Sequence, residues 1–140
     1  MNRREARETM MKVFYQLDVA GDFQSSFEDS VPMEKLGGQE SYCRAIYEAV
    51  CEHKDEIDRM ISEHSIKWKV ERMAKTDIAT LRLATGEILF IEDIPVPVSI
   101  NEAVEMVKKY GTDQSPRFVN AVLGSLVKVH GQKLSDRPGV

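Results

Sequence analysis

The sequence lacks most of the features on which catalysis depends. Its three histidines, His53, His64 and His130, are far apart and do not have the spacing of metal ligands. It contains no glycine-rich phosphate-binding loop and no nucleophile motif. Acidic pairs such as Asp55-Glu56 fall on a charged helix face, where they are usually solvated. These absences argue against an enzyme, a metal site and a bound cofactor.

Long apolar runs and cysteines at bridging distance are also missing. No stretch of about 18 apolar residues occurs, so a membrane span is not expected. The first residues contain no apolar segment of the signal-peptide type, which favours a cytoplasmic location. Cys43 and Cys51 would lie about 12 Å apart along one helix, which is too far for a disulfide.

Helical periodicity runs through most of the 140 residues. Apolar side chains recur at steps of three and four, and no strand alternation persists, which predicts an all-α fold class. Five segments have the helical pattern: residues 3–20, 39–63, 76–91, 99–110 and 115–130. Residues 21–38 are predicted to be a connection with one short helical turn near Met33 to Leu36. We expect a single domain over residues 1–134 and a frayed tail at 135–140.

The most apolar segment is 76–91, TDIATLRLATGEILFI. Because little of its circumference is polar, it is predicted to be a buried central helix on which the others pack. Thr76 is expected to cap it, and Asp77 lies in the first turn, where a carboxylate meets the positive end of the helix dipole. Pro95 and Pro97 prevent its continuation.

Two serines are predicted to start the helices that follow. Ser99 has Glu102 three residues later, which is the pattern of a capping box, and Gly111 is expected to end that helix. Ser115 precedes Pro116, and proline suits the first position of a helix.

Positive charge is concentrated at the start of the chain, although the formal net charge is -4. Arg3, Arg4 and Arg7 lie in the first turns of the first helix, and guanidinium groups are suited to phosphates. Tyr15 follows about three turns along nearly the same flank, where its ring would stack on an unpaired base.

A second basic and aromatic pair, Arg117 and Phe118, stands at the start of the last helix. Phe118 also fits a place in the core. Basic residues near a chain start are common, so the residues alone leave both RNA binding and a structural role open.

Four segments, taken in order, carry a family resemblance. They are RREAR with the following Phe14-Tyr15, DIATLRLATGEIL, VPVSINEAVEMVKKYG and SPRFVNAVLGSL. Together the segments cover nearly the whole chain, and the sequence resembles the NusB family of transcription antitermination factors. The resemblance implies a NusB-like fold, in which two small helical bundles pack across each other around a central buried helix.

The resemblance also implies partners and site residues. It implies binding of single-stranded boxA RNA with the ribosomal small-subunit protein NusE, in an RNA polymerase antitermination complex that acts notably on ribosomal RNA operons. Eight residues are then expected to bind RNA: Arg3, Arg4, Arg7, Tyr15, Arg82, Arg117, Phe118 and Asn120. Two residues are expected on the NusE side: Asp77 and Gly86.

Two departures from the family pattern affect these expectations. Glu5 stands where many relatives have a third consecutive arginine, which weakens the basic patch. Thr85-Gly86 replaces a bulkier pair, so a flatter surface is expected at that NusE contact. A glycine inside a helix also costs about 1 kcal/mol relative to alanine.

Two other interpretations stay open. NusB-like domains also occur as accessory domains of RNA cytosine methyltransferases, but the 140 residues contain no catalytic domain. Alternatively, the chain is a structural partner-binding bundle with incidental arginines and no RNA specificity of its own. The oligomeric state is also open, and a homodimer that shields the RNA face is one alternative.

Overall fold

The structure is a computed structural model that describes residues 1–66 and 68–134. Its α-helices in these ranges are α1 Arg3–Ala20, α2 Phe27–Ser30, α3 Glu40–Glu52, α4 Lys54–Glu63, α5 Lys75–Phe90, α6 Val96–Tyr110 and α7 Ser115–Leu134. Three short 3-10 helices occur at Met33–Lys35, Gly37–Gln39 and Val70–Arg72. The described ranges contain no strand, and the predicted all-α class is confirmed. The tail predicted at 135–140 lies outside them.

Helix α5 is the centre of the molecule. Every residue from Asp77 to Ile88 is buried, and α1, α3, α4, α6 and α7 all pack against it. Burial on all sides explains why this segment has almost no polar face. Thr76 does not cap the helix, which starts at Lys75 after Ala74 and has no side-chain cap. Packing, rather than capping, therefore holds the start of α5.

Two small bundles share α5, as the NusB-like fold class predicted. One contains the packed pair α6 and α7, and the other contains α3 and α4. Helix α1 runs antiparallel to α5, since Arg7 near its start pairs with Glu87 and Asp18 near its end lies by Arg82. In the part of the chain that the structure describes, no helix is long and apolar enough to cross a membrane.

The segment predicted as one helix over residues 39–63 is two helices. His53 leaves the helical range at φ -109° and ψ 23° and separates α3 from α4. Its ring stacks on Phe90, with the ring centroids 4.1 Å apart. The apolar pattern continues through the break because α3 and α4 both pack against α5, so periodicity alone could not reveal it.

The capping box predicted at Ser99 is wrong. Helix α6 already begins at Val96, with Pro97 in its first turn, where proline needs no hydrogen-bonding partner. Ser99 is therefore inside the helix, and its hydroxyl donates to Glu87 Oε1 at 2.8 Å. Gly111 ends α6 as predicted, and the short turn predicted near Met33 is present.

Candidate nucleic-acid interface

A capping box fixes the first turn of α1. Asn2 Oδ1 accepts a hydrogen bond from the Glu5 backbone N–H at 2.8 Å, and Glu5 Oε1 accepts one from the Asn2 backbone N–H at 2.8 Å. Each side chain thus satisfies a backbone donor that the helix leaves unpaired. Glu5 weakens the basic patch as a charge, but it holds the turn on which Arg3 and Arg4 stand.

Arg3 is exposed and has neutral partners. Its Nε donates to Gln39 Oε1 at 2.7 Å, and its guanidinium carbon lies 4.2 Å from the centroid of the Tyr42 ring. Among the residues that the structure describes, no carboxylate is within ion-pair distance of it. The stacking fixes the orientation of the guanidinium group without neutralising it. The positive charge of Arg3 is therefore not balanced by a described carboxylate and is available to an external anion such as a phosphate.

Arg4 is also exposed, but its guanidinium group forms an ion pair with the carboxylate of Glu102. Its Nε donates to Glu102 Oε1 at 3.0 Å, and its Nη2 donates to Glu102 Oε2 at 2.7 Å. The Arg4 side chain is 63% exposed, whereas that of Glu102 is 11% exposed. The hydrogen bond from Arg4 lowers the pKa of the Glu102 carboxyl below its usual value. The pair thus joins the start of α1 to the middle of α6.

Arg7 does not reach the surface, which corrects its prediction as an RNA contact. Its Nε and Nη2 donate to the two carboxylate oxygens of Glu87 at 2.8 and 3.2 Å. Glu87 is 1% exposed and also accepts hydrogen bonds from the hydroxyls of Tyr42 and Ser99. Position 7 faces inward beside Ala6 on the buried stripe of α1. Arg7 therefore forms a buried ion pair with Glu87.

Arg82 is likewise interior, and the RNA contact predicted for it is also corrected. The residue is 2% exposed, and its Nε and Nη2 donate to the carboxylate oxygens of Asp58 at 2.8 and 2.9 Å. Its Nη1 lies 3.3 Å from Asp18 Oδ2. These contacts join α5 to α4 and to the end of α1. The guanidinium group is therefore almost wholly buried and is held by carboxylates of this chain.

Gly86 faces α3 rather than a partner surface, which corrects its assignment as a NusE contact. A Cβ at this position would lie 2.8 Å from Val50 Cγ2 and 3.1 Å from Ile46 Cδ1. The missing side chain is what lets α3 and α5 approach so closely. The flatter surface expected at Thr85-Gly86 is therefore in the interior, since both residues are buried.

Asp77 lies in the first turn of α5 and is 8% exposed. Its Oδ1 is buried and has no hydrogen-bond partner within residues 1–66 and 68–134. Burial raises the pKa of this carboxyl above its usual value, and the hydroxyl of Ser115 acts in the opposite direction. The group thus sits where α5 and α7 begin, and its Oδ1 lacks a donor. Its role in binding NusE stays a prediction.

We expect Asp77→Asn to raise the free energy of unfolding at pH 7 by on the order of 1 kcal/mol, because a buried charge becomes a neutral amide. The folded-state pKa of Asp77 is raised. Wild-type stability should therefore fall as pH rises from the usual Asp pKa to the folded-state pKa, and then level off. Urea unfolding across a pH series should show this loss in the wild type and not in Asp77→Asn. Lower stability of the variant at pH 7 would contradict the prediction.

A second basic cluster lies where α1 meets the end of α6. Lys12 Nζ and Lys109 Nζ lie 5.1 and 5.2 Å from the centroid of the Tyr110 ring. Lys109 Nζ pairs with Glu8 Oε1 at 3.1 Å, and the Tyr110 hydroxyl donates to the same oxygen at 2.9 Å. Lys12 is absent from the predicted site because it lies further round α1 than Arg4 and Tyr15. Lys109 is absent because sequence spacing does not reveal that α1 and α6 are neighbours. In sequence, Lys109 looks only like a favourable charge at a helix end.

The packing of α1 against α6 also determines how far the basic and aromatic side chains extend along the molecule. Helices α1 and α6 run in the same direction, because Arg4 meets Glu102 and, farther along both helices, Lys12 meets Tyr110. Helix α7 begins at Ser115, shortly after Tyr110 in the chain. Tyr15 is 38% exposed and stands about one turn beyond Lys12.

Basic and aromatic side chains thus follow α1 from its first turn to Tyr15, and others stand at the end of α6 and in the first turns of α7. Arg117 and Asn120 are exposed there, and Phe118 is half-buried against the core. We call this region the basic–aromatic surface: Arg3, Arg4, Lys12, Tyr15, Lys109, Tyr110, Arg117, Phe118 and Asn120. It retains six of the eight residues that were predicted to bind RNA and adds two lysines and a tyrosine.

Comparisons with known proteins agree with this architecture. The model of the NusB family matches residues 4–128. The transcription antitermination protein NusB of Bacillus subtilis (strain 168) is 40% identical over 127 residues, covering 90% of this chain and 95% of its own. The protein of the same name from Clostridium novyi (strain NT) is 38% identical over 132 residues, covering 91% of this chain and 99% of its own.

Solved structures are similar over the same extent. T. maritima NusB has a TM-score of 0.84 at 30% identity and covers 97% of this chain and 98% of its own. A chain from a crystal structure of the antitermination factors NusB and NusE in complex with dsRNA has a TM-score of 0.77 at 26% identity, covering 91% of this chain and 96% of its own. With a family match over most of its length and relatives of about 40% identity along nearly their whole chains, this protein belongs to the NusB family.

Proposed function

We propose that this protein is a transcription antitermination factor that binds boxA-type single-stranded RNA together with NusE. It would join the RNA polymerase antitermination complex in the cytoplasm, notably on ribosomal RNA operons, and act by binding rather than by catalysis. The observation that carries the proposal is its membership of a family whose similar members are named for antitermination. A similar solved structure is described as NusB and NusE in complex with double-stranded RNA, which supports these two classes of partner.

The basic–aromatic surface supplies the chemistry that single-stranded RNA needs. Arg3 and the exposed Arg117 offer donors for phosphates. Tyr15 and Phe118 offer rings on which unpaired bases stack, an interaction worth about 1–3 kcal/mol per base. The amide of Asn120 is exposed and has both donors and acceptors for a base edge. Most of these contacts tolerate different sequences, so we expect NusE to contribute to the selection of boxA.

Asp77 is the residue proposed to face NusE. Its buried Oδ1 lacks a donor, and an N–H or cationic side chain from a partner would supply one. Natural proteins often keep such a destabilising group because a binding function requires it. The stability gain expected for Asp77→Asn would then be accompanied by weaker NusE binding.

The test of the proposal is a binding assay with labelled boxA RNA, NusE and this protein. We expect a ternary complex that is tighter than either pair. Arg3→Ala should lower the RNA affinity several-fold and reduce the slope of log affinity against log salt by about 0.7, which is the loss of one phosphate contact. Fluorescence anisotropy over a salt series measures both quantities.

Arg59→Ala is the matched control for this assay. Arg59 is an exposed arginine of α4. It lines a surface groove together with Asp18, which is near the end of α1, whereas Arg3 is at its start. Its replacement removes the same charge and should leave the slope unchanged. Equal slopes for the wild type and Arg3→Ala would contradict the assignment of Arg3.

One observation favours a second candidate, a partner-binding bundle without RNA specificity. Carboxylates compensate two of the three arginines at the start of α1, since Arg4 pairs with Glu102 and Arg7 with Glu87. On this alternative, NusE binds with the same affinity with and without RNA. The ternary assay separates the two candidates, because only the RNA-binding factor gains affinity when both partners are present.

A further inference from the structure

We propose that the guanidinium group of Arg4 is a phosphate-binding position that Glu102 occupies in the free protein, so that RNA must displace an internal carboxylate to use it. The inference rests on the proposed function, because it concerns how the same surface meets RNA. It assigns to Glu102 a role as a competitor of the RNA backbone.

The hydrogen-bond geometry supports this competition. Arg4 donates from Nε and Nη2 to the two oxygens of Glu102 at 3.0 and 2.7 Å. The planar guanidinium group offers this pair of parallel donors to carboxylates and phosphates alike. While Glu102 holds both donors, that edge of Arg4 has none left for a phosphate oxygen. The two anions therefore compete for the same edge of one side chain.

The difference in burial shows which partner can move. The Arg4 side chain is 63% exposed, whereas that of Glu102 is 11% exposed and is held in the middle of α6. Arg7 Nη1 lies 3.6 Å from Glu102 Oε1. When Arg4 turns toward RNA, Glu102 still has a buried cation beside it, and it avoids the large penalty of an unpaired buried charge. An exchange of partners is therefore feasible without disruption of the core.

The charge balance shows what this arrangement does in the free protein. The two positive charges of Arg4 and Arg7 balance the two negative charges of Glu87 and Glu102. These four side chains are therefore neutral as a group. Arg3 is then the guanidinium group at the start of α1 that lacks a described carboxylate partner. The ion pair lowers the attraction of the surface for any polyanion, whatever its sequence. We therefore expect Glu102 to weaken binding to boxA and to other RNA alike.

The experiment compares Glu102→Gln with Glu105→Gln on boxA RNA and on a scrambled RNA of equal length. Glu105 is an exposed residue of the same helix that pairs with Lys108 at 3.5 Å, so its replacement removes the same charge without freeing Arg4. We expect Glu102→Gln to raise the affinity for both RNAs by about fivefold at low salt, and Glu105→Gln by less than twofold. The gain should shrink as salt screens the ion pair.

A double-mutant cycle identifies Arg4 as the side chain that is released. Arg4→Ala should lower the affinity more in the Glu102→Gln background than in the wild type, because Arg4 is free there. Equal losses in the two backgrounds would overturn the proposal. So would an affinity gain no larger than that of Glu105→Gln, or a lower affinity of folded Glu102→Gln, which would mean that Glu102 positions Arg4 for RNA.

Two further comparisons keep the outcomes separate. Thermal unfolding establishes whether Glu102→Gln is folded. If it is not, Glu102→Asp takes its place in the assay: the shorter side chain withdraws the carboxylate from Arg4 and should give a smaller gain in affinity. If the wild type with NusE bound boxA no better than scrambled RNA, the proposed function would fail. The competition by Glu102 would survive that result, since it predicts equal gains for both RNAs.

Discussion

Glu87→Gln is expected to lower the free energy of unfolding by about 3–5 kcal/mol, because it removes one partner of a buried ion pair. Glu87 is a buried carboxylate on the central helix, and it accepts hydrogen bonds from Arg7, Tyr42 and Ser99. These donors belong to α1, α3 and α6, so one side chain connects three helices to α5. Glutamine keeps the shape, but it leaves Arg7 with only the more distant carboxylate of Glu102, 3.6 Å from Nη1, and turns an N–H₂ group toward other donors.

Urea unfolding of Glu87→Gln beside Glu105→Gln would measure this effect. Glu105 is exposed and pairs only loosely with Lys108, so its variant should stay within about 0.5 kcal/mol of the wild type. A loss below about 1 kcal/mol in Glu87→Gln would mean that the charge of Arg7 is not buried as tightly as the structure indicates. Glu102, whose Oε1 lies 3.6 Å from Arg7 Nη1, would then be its alternative partner.

Arg82→Met is expected to lower the free energy of unfolding by about 2–3 kcal/mol and to leave the RNA affinity of the folded protein unchanged. The substitution removes both hydrogen bonds to Asp58 and the nearby charge beside Asp18. The cost is smaller than for Glu87, because Lys54 remains 3.1 Å from Asp58 and Lys75 remains 3.3 Å from Asp18. Both carboxylates are also partly open to water.

Arg59→Met serves as the control, since Arg59 is exposed and lies 3.9 Å from Glu63, its carboxylate partner. We expect it to change stability by less than about 0.5 kcal/mol. Denaturation and RNA titration of both variants separate the two possible roles of Arg82. A loss of RNA affinity with unchanged stability would restore Arg82 to the RNA surface.

The sequence pattern predicted those elements whose cause is local. Helix α1 has the predicted bounds because an apolar stripe, a capping pair and Gly21 all agree. The all-round apolar character of α5 correctly indicated a buried central helix. These features depend on neighbours along the chain, which sequence periodicity records.

The misplaced site residues share a different cause. Arg7 and Arg82 were predicted to face RNA, but each finds its carboxylate on another helix. Ser99 and Glu102 have the spacing of a capping box, yet they bond to Glu87 and Arg4. A basic residue at the edge of an apolar stripe looks the same in sequence whether it turns outward or meets a buried acid. Which of the two orientations a basic side chain adopts depends on contacts between segments distant in sequence, and rules based on residue spacing do not predict those contacts.

The close approach of α3 and α5 at Gly86 has a consequence for the orientation of Arg3. Helix α3 carries Tyr42, on which Arg3 stacks, and Gln39, which bonds to Arg3, directly precedes this helix. A larger residue at 86 would displace α3 through Val50 and would move both supports of Arg3 with it. A substitution at this buried position therefore changes the orientation of an arginine that we propose binds RNA, although residue 86 itself is inside the core.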